Sequence, residues 1–357
     1  MTGRRQFWFW LGGVAAFAGL LWLFSSILLP FVAAMVVAYL LDPLVDRLEK
    51  WGVGRAAGTV IVLAAFFLLA TATVLLLVPV LNAQIADFAA RVPELLSALR
   101  ERLSGLLETL ESRLSPADLE RARAVVGSFA GDALAAIGSL IAGLWSGGLA
   151  LFNLLALIFI TPIVAFYLLR DWDRIIGAVD SWLPLRHGET IRGLARETDG
   201  LLSGFIRGAA MVCLILGAFY AIALTLIGLE FGLIIGLLSG IVSFVPFVGA
   251  AFGFIFGVGV ALSQFGDWPP VALVAGVFVI GQIAEGNWLT PKLVGSRIDL
   301  HPVWVMFALL AGGVLFGFVG LLLAVPLAVV ISVLVRFGLG QYLKSEFHGP
   351  ARPPGAE

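Results

Sequence analysis

Apolar residues fall along this chain in long blocks whose lengths match a bilayer rather than a soluble core. Crossing the roughly 30 Å hydrocarbon layer takes about 20 apolar residues in a helix. Blocks of that order occupy residues 7–29, 56–80, 147–169, 206–229, 270–289 and 303–335, and each predicts a membrane-spanning helix. Residues 31–41 are too few to cross alone, and residues 231–262 are too many for one straight helix. The pattern therefore predicts an all-α, polytopic helical membrane protein with about eight membrane segments, some of them re-entrant helical hairpins.

Two amphipathic stretches separate the blocks. Ile85, Phe88, Val92, Leu95, Leu99, Leu103, Leu106 and Leu110 recur at spacings of three and four, opposite Arg91, Arg100, Glu101, Arg102 and Glu108, the pattern of a one-sided helix. A second helix then starts at Ser115, with Pro116 in its first turn. Residues 82–130 are thus expected to form an extramembrane helical hairpin. Over 170–205, Ile191, Leu194, Thr198, Leu201 and Phe205 share a face opposite Arg192, Arg196 and Glu197, which suits helices in the membrane interface. Trp172 and Trp182 fit the aromatic belt, with Asp171 and Asp173 beside Trp172 read as solvated.

The expected organisation is N-terminal membrane segments over 1–81, the amphipathic hairpin over 82–130 and a membrane segment in 131–169. Interfacial helices over 170–205, a core with glycine-rich hairpins over 206–340 and a disordered tail over 341–357 follow.

Composition strengthens this picture. Hydrophobic residues make up 61% and charged residues 13% of 357, against roughly a quarter charged in a soluble domain. The N-terminal apolar run is too long for a signal-peptide core and lacks a small-residue cleavage site, so it is read as the first span. Arg4, Arg5, Arg47, Lys50, Arg55, Arg336 and Lys344 put both termini and the first loop on one cytoplasmic side. Cys213 is the single cysteine, which removes internal disulfides and CxxC chemistry. His187, His301 and His348 show no ligand spacing, so no metal is expected. There is no phosphate-binding GxxxxGK[ST] and no GxSxG. No basic patch suits nucleic acid. No cofactor is expected, and the chain is not read as an enzyme.

The candidate chemistry lies where the apolar pattern fails. Gly232, Gly236 and Gly240 precede Pro246, and Gly249, Gly253 and Gly257 follow it. Each set is a stripe that lets helix backbones approach closely in lipid. Pro246 cannot donate to Val242, so the block is either two short helices meeting at a break or one long, kinked helix. Gly313, Gly317, Gly320, Ala324 and Ala328 echo the stripe ahead of Pro326, a hint of paired repeats.

The second interruption is Gln282, Glu285, Asn287, Thr290, Pro291 and Lys292. A carboxylate inside an apolar span costs about 3 kcal/mol on insertion scales and so calls for a reason. Glu285 either exchanges a proton or cation, with Gln282, Asn287 and Thr290 binding polar groups, or pairs structurally with Lys292 or Arg297. In an α-helix Pro291 would leave the Asn287 carbonyl without a donor. Pro246, Gly249, Pro291 and Pro326 are the expected hinge and hairpin positions.

These residues, in order, resemble a known family. Leu29-Pro30-Phe31, Ala38-Tyr39-Leu40-Leu41-Asp42-Pro43, Phe166-Tyr167-Leu168-Leu169-Arg170-Asp171, Val245-Pro246-Phe247-Val248-Gly249, Gln282 through Asn287 to Thr290-Pro291 and Gly295, Leu300-His301-Pro302, and Gly317 to Pro326 are similar to the autoinducer-2 exporter family of bacterial permeases. The resemblance implies a multi-pass inner-membrane protein with re-entrant segments, assembled as a homo-oligomer, with a pentamer as the expected form. It implies export of autoinducer-2, or sodium or lithium exchange for protons, and a transport core at Pro246, Gly249, Gln282, Glu285, Asn287 and Pro291. Asp42 stands where the family often has Asn, and Phe247 where it often has Tyr, removing a hydroxyl that could have bonded a substrate.

The functional expectation is a secondary transporter exporting a small hydrophilic organic molecule by alternating access. A monovalent-cation/proton antiporter is one alternative, and a non-transporting membrane scaffold another. The partners expected are a small-molecule or ion substrate, the lipid bilayer and further copies of the chain.

Overall fold

A computed structural model describes residues 12–13, 19–20, 23–24, 27–110, 147–184, 188–246, 248–294 and 301–343. Most of the first expected span, the second arm of the 82–130 hairpin and nearly all of the expected tail lie outside the described residues. All regular structure among the described residues is helical. Five helical segments are long and apolar enough to cross a membrane: Leu29–Lys50, Arg55–Leu76, Gly188–Leu226, Trp268–Val294 and Val303–Leu343.

The main helices are α1 (Leu29–Lys50), α2 (Arg55–Leu110), α3 (Gly147–Ser181), α4 (Gly188–Leu226), α5 (Gly232–Val242), α6 (Val248–Gln264), α7 (Trp268–Ala284) and α8 (Pro302–Leu343), with a π-helix over Glu285–Val294 between the last two. The chain divides into two compact units. The first gathers Met1–Leu63, Ala156–Gly208 and Val294–Glu357, and the second Ala64–Leu155 and Ala209–Leu293.

Helix α2 has 56 residues, about 84 Å at 1.5 Å per residue. That is far longer than any bilayer, so one helix supplies both a span and the first arm of the expected hairpin. Helix α4 likewise runs through the boundary expected near residue 205, joining the amphipathic stretch and the next span in 39 residues.

In the first unit α1 closes through a Schellman motif. Val53 N–H donates to Leu48 O at 3.1 Å and Gly52 N–H to Glu49 O at 2.9 Å, with Gly52 in the left-handed region at φ 91° that only glycine adopts freely. The reversal returns Arg55 to the acidic stripe that α1 carries at positions 42, 46 and 49. Arg55 lies 3.2 Å from Asp42, 3.3 Å from Asp46, 3.2 Å from Glu49 and 2.9 Å from Asp173 of α3, and its Nε donates to Leu169 O at 3.0 Å. One guanidinium thereby ties α3 to the junction of α1 and α2. Asp173 stays 72% exposed, as its expected solvation requires, while it meets Arg55, and Asp171, 24% exposed, pairs with Arg170 at 2.7 Å.

Helix α8 also belongs to the first unit and is folded back on itself. Gly317, at φ 58° and ψ −137°, interrupts it, and a β-carbon on Gly312 would strike the Gly320 carbonyl, as one on Gly320 would strike the Gly312 carbonyl. The arm over 302–316 is about 22 Å long, short of a bilayer's roughly 30 Å. The last apolar block therefore contains a second hairpin. Its break is at Gly317, and Pro326 lies inside the longer arm, where the helix continues.

Candidate functional site

The site is built in the second unit from α4, α5, α6 and α7. Helix α4 ends on a second Schellman motif, Leu229 N–H to Leu224 O and Gly228 N–H to Thr225 O, both 3.0 Å, which sends α5 back along α4. The glycine stripe of α5 then meets α4 backbone to backbone. A β-carbon on Gly232 would lie 3.0 Å from the Leu224 backbone, one on Gly236 would collide with the Ala221 backbone, and one on Gly240 with that of Gly217.

Helix α5 stops at Val242, the residue whose carbonyl Pro246 cannot serve, and the chain turns before α6 starts at Val248. The arrangement is two short helices rather than one kinked helix. Helix α5 has 11 residues, about 16 Å of rise, roughly half a bilayer. Gly249 packs against Ser243 and the Ser239 carbonyl, and Gly253 against the Ser239 hydroxyl and the Phe278 ring. Both serines are satisfied by α5 carbonyls: Ser239 donates to Ile235 O at 2.5 Å and Ser243, just past the helix end, to Ser239 O at 2.8 Å.

The hairpin braces α7, whose buried stripe runs Val274, Phe278, Gly281 and Glu285 at helical spacing. Glu285 is therefore on the packed face, 7% exposed. No described cation pairs with it, so the Lys292 partnership is absent among the described residues; Arg297 lies outside them. Gln282 is half-buried, while Asn287 and Thr290 are exposed. Asn287 Nδ2 donates to Ile283 O at 3.0 Å, a bond across the junction with α7 that serves a carbonyl where the α ladder ends.

At Glu285 the α-helix gives way to a π-helix of ten residues, a rare form that occurs mostly as single turns, often at functional sites. This register changes one expectation. With each N–H reaching five residues back, the amide missing at Pro291 would have served Gly286, not Asn287. Pro291 sits inside this segment, and Pro246 in the turn between α5 and α6.

Sequence reasoning missed Tyr220. It is 0% exposed, its ring lies 4.9 Å from that of Phe278, and its hydroxyl occupies the space a β-carbon on Gly281 would need. That hydroxyl has no hydrogen-bond partner among the described residues. A buried, unsatisfied hydroxyl costs about 1–3 kcal/mol, and this one lies over the stripe position one turn before Glu285. A tyrosine inside an apolar span was the available signal, since its polar end normally needs a partner when buried.

Several apolar spans, two helical hairpins with at least one arm too short to cross and a buried carboxylate on a packed face define a multi-pass helical membrane protein built around interrupted helices. The chain belongs to the family described as AI-2E family transporter, whose match covers residues 11–340, and it is a membrane transporter of that family. It is 30% identical over 341 residues to PerM of Escherichia coli (strain K12), named as a permease, covering 90% of each chain. It is 29% identical over 318 residues to YrrI of Bacillus subtilis (strain 168), named as a transport protein, covering 87% of this chain and 86% of YrrI. A Synechocystis transport protein by name, sll0063, is 29% identical over 328 residues, 87% of this chain and 77% of that one.

Proposed function

We propose that the chain is a secondary transporter of the bacterial inner membrane that exports a small hydrophilic organic molecule such as autoinducer-2 by alternating access. Both termini are cytoplasmic in this reading, and the working form is a homo-oligomer. The observation that carries it is Glu285: a carboxylate on the packed stripe of an apolar span, at an α-to-π transition, with no described cation beside it. An ionised group there is costly, and transport gives it a use, taking up and releasing a proton as the substrate passes. Interrupted helices near the bilayer midplane are where transporters place such groups. Gln282, Asn287 and Thr290 supply polar contacts once the segment rearranges, and the turns at Pro246 and Gly317 let the hairpins move.

The test is uptake into everted vesicles. Wild-type protein should accumulate autoinducer-2 when a proton gradient is imposed, and Glu285→Gln should abolish that uptake while the protein still inserts and assembles. Undiminished uptake by the variant would overturn the assignment of Glu285.

The same lone carboxylate favours one further reading, monovalent-cation/proton exchange. In that case sodium or lithium should collapse a pH gradient in the same vesicles without any organic solute. Family membership favours either form of transport over a scaffold role.

A further inference from the structure

A different place in the molecule carries a second site. In the first unit α1, α3 and α4 border a half-open cavity of about 60 Å³, lined by Tyr39, Asp42, Trp172, Asp199, Ser203 and Arg207, with Asp199 exposed at its mouth, large enough for several atoms of ligand or a few waters. Asp199, Ser203 and Arg207 are spaced four apart on α4 and so share a face. Asp199 accepts a hydrogen bond from the Tyr39 hydroxyl at 3.0 Å through Oδ1 only. Arg207 donates from Nε to the Tyr39 carbonyl at 3.1 Å, which fixes the guanidinium while its two terminal nitrogens have no hydrogen-bond partner among the described residues. Asp42 is already engaged by Arg55 at 3.2 Å. Trp172 packs edge-on to Tyr39, ring centroids 6.0 Å apart.

The cavity thus presents a carboxylate oxygen and a guanidinium fork on one helix face, each with unused hydrogen-bonding capacity and not bonded to each other, while Asp42 across the cavity feels both the Arg55 and the Arg207 charge. We propose that this cavity binds a small zwitterion, a primary ammonium and an oxyanion a few bonds apart, with the ammonium on Asp199 beside the Trp172 ring and the oxyanion in the fork of Arg207. The chemistry is that of a free amino-phosphate solute or of a phosphoethanolamine lipid headgroup. The inference does not rest on Glu285 or on the export reading.

The test uses purified, delipidated full-length protein titrated with O-phosphoethanolamine in a calorimeter, with ethanolamine and inorganic phosphate as the two half-ligands. Saturable binding of the zwitterion is expected, with each half-ligand at least about tenfold weaker and with Asp199→Asn and Arg207→Gln each weakening it about tenfold or more. A parallel arm compares melting in nanodiscs of phosphatidylethanolamine and of phosphatidylglycerol. Stabilisation by phosphatidylethanolamine in wild type but not in Asp199→Asn identifies the headgroup as the source, and soluble binding without it identifies a solute. Half-ligands binding as well as the zwitterion overturn the proposal, as does wild-type protein that responds in neither arm. The half-ligand comparison uses wild type alone, so it stands even if a variant fails to fold.

Discussion

The hydroxyl of Tyr220 lies over Gly281, in the space a β-carbon would fill, and it is buried there without a hydrogen-bond partner among the described residues. Gly281 is one turn from Glu285 on the same buried stripe. An unsatisfied hydroxyl so placed is either a plain cost of packing or a ligand waiting for its partner. Tyr220→Phe separates the two. Stability should rise by about 1 kcal/mol, since a buried polar group without a partner is removed, whereas transport should fall severalfold. Thermal unfolding and vesicle uptake on the same preparation check both. Unchanged uptake would leave the hydroxyl a packing cost alone.

The glycine stripe of α5 makes a sharper prediction about packing. A β-carbon on Gly240 would meet the Gly217 backbone, which cannot step aside, whereas Gly259 of α6 has open space around its β position. Gly240→Ala should destabilise the protein by about 1–3 kcal/mol through overpacking. Gly259→Ala should be neutral or slightly stabilising, because alanine is the better helix former. Equal melting temperatures for the two variants would mean that α4 and α5 do not approach as closely as described.

Much of this architecture was legible in the sequence because a bilayer imposes a length and a polarity that composition must obey. Most of the spans, the break at Pro246 and the oddity of Glu285 follow from that constraint; residues 31–41, read as too few to cross alone, instead belong to α1, whose 22 residues are long enough because the helix runs on through the polar positions after Leu41. The π register at Glu285 was not legible: Pro291 removes an amide in either register, and nothing local says whether the deprived carbonyl is four or five residues back. The turn at Gly317 was hidden among neighbouring glycines, any of which could have broken the helix. Tyr39 and Asp199 are 160 positions apart, beyond any periodicity. Arg207, by contrast, stands at the start of an apolar block, where a charge is itself a signal, as was the acidic stripe of α1 facing a single following arginine.

That arginine should be hard to replace. Arg55 is 16% exposed and is shared by four carboxylates whose own exposure runs from 30% to 72%. Arg55→Leu would leave those acids repelling one another and would remove the side-chain donor to Leu169 O. The loss expected is about 1–3 kcal/mol, below that for a fully buried pair because water screens most of the partners. Arg55→Lys should recover only part of it, since an ammonium cannot fork between several acids and a carbonyl. Thermal melts of the three proteins in one detergent would show the order, and a lysine variant equal to wild type would argue that charge alone matters there.

Beyond the apolar part of α3, Asp180 near its end accepts a hydrogen bond from Nε of Arg192 at 2.6 Å. That bond, with the positive charge beside it, holds the Asp180 carboxyl below its ordinary range. A carboxyl depressed in the folded state stabilises the protein above its unfolded pKa of about 3.9, and the contribution is lost as pH falls through the lower, folded value. Asp180→Asn should therefore melt slightly below wild type near neutral pH, and the two curves should converge as the medium is acidified below about pH 4. The gap should also shrink in high salt, because the pair is open to solvent. A difference that persists unchanged at low pH would mean that the asparagine acts through the shape of the α3–α4 turn and not through the lost charge.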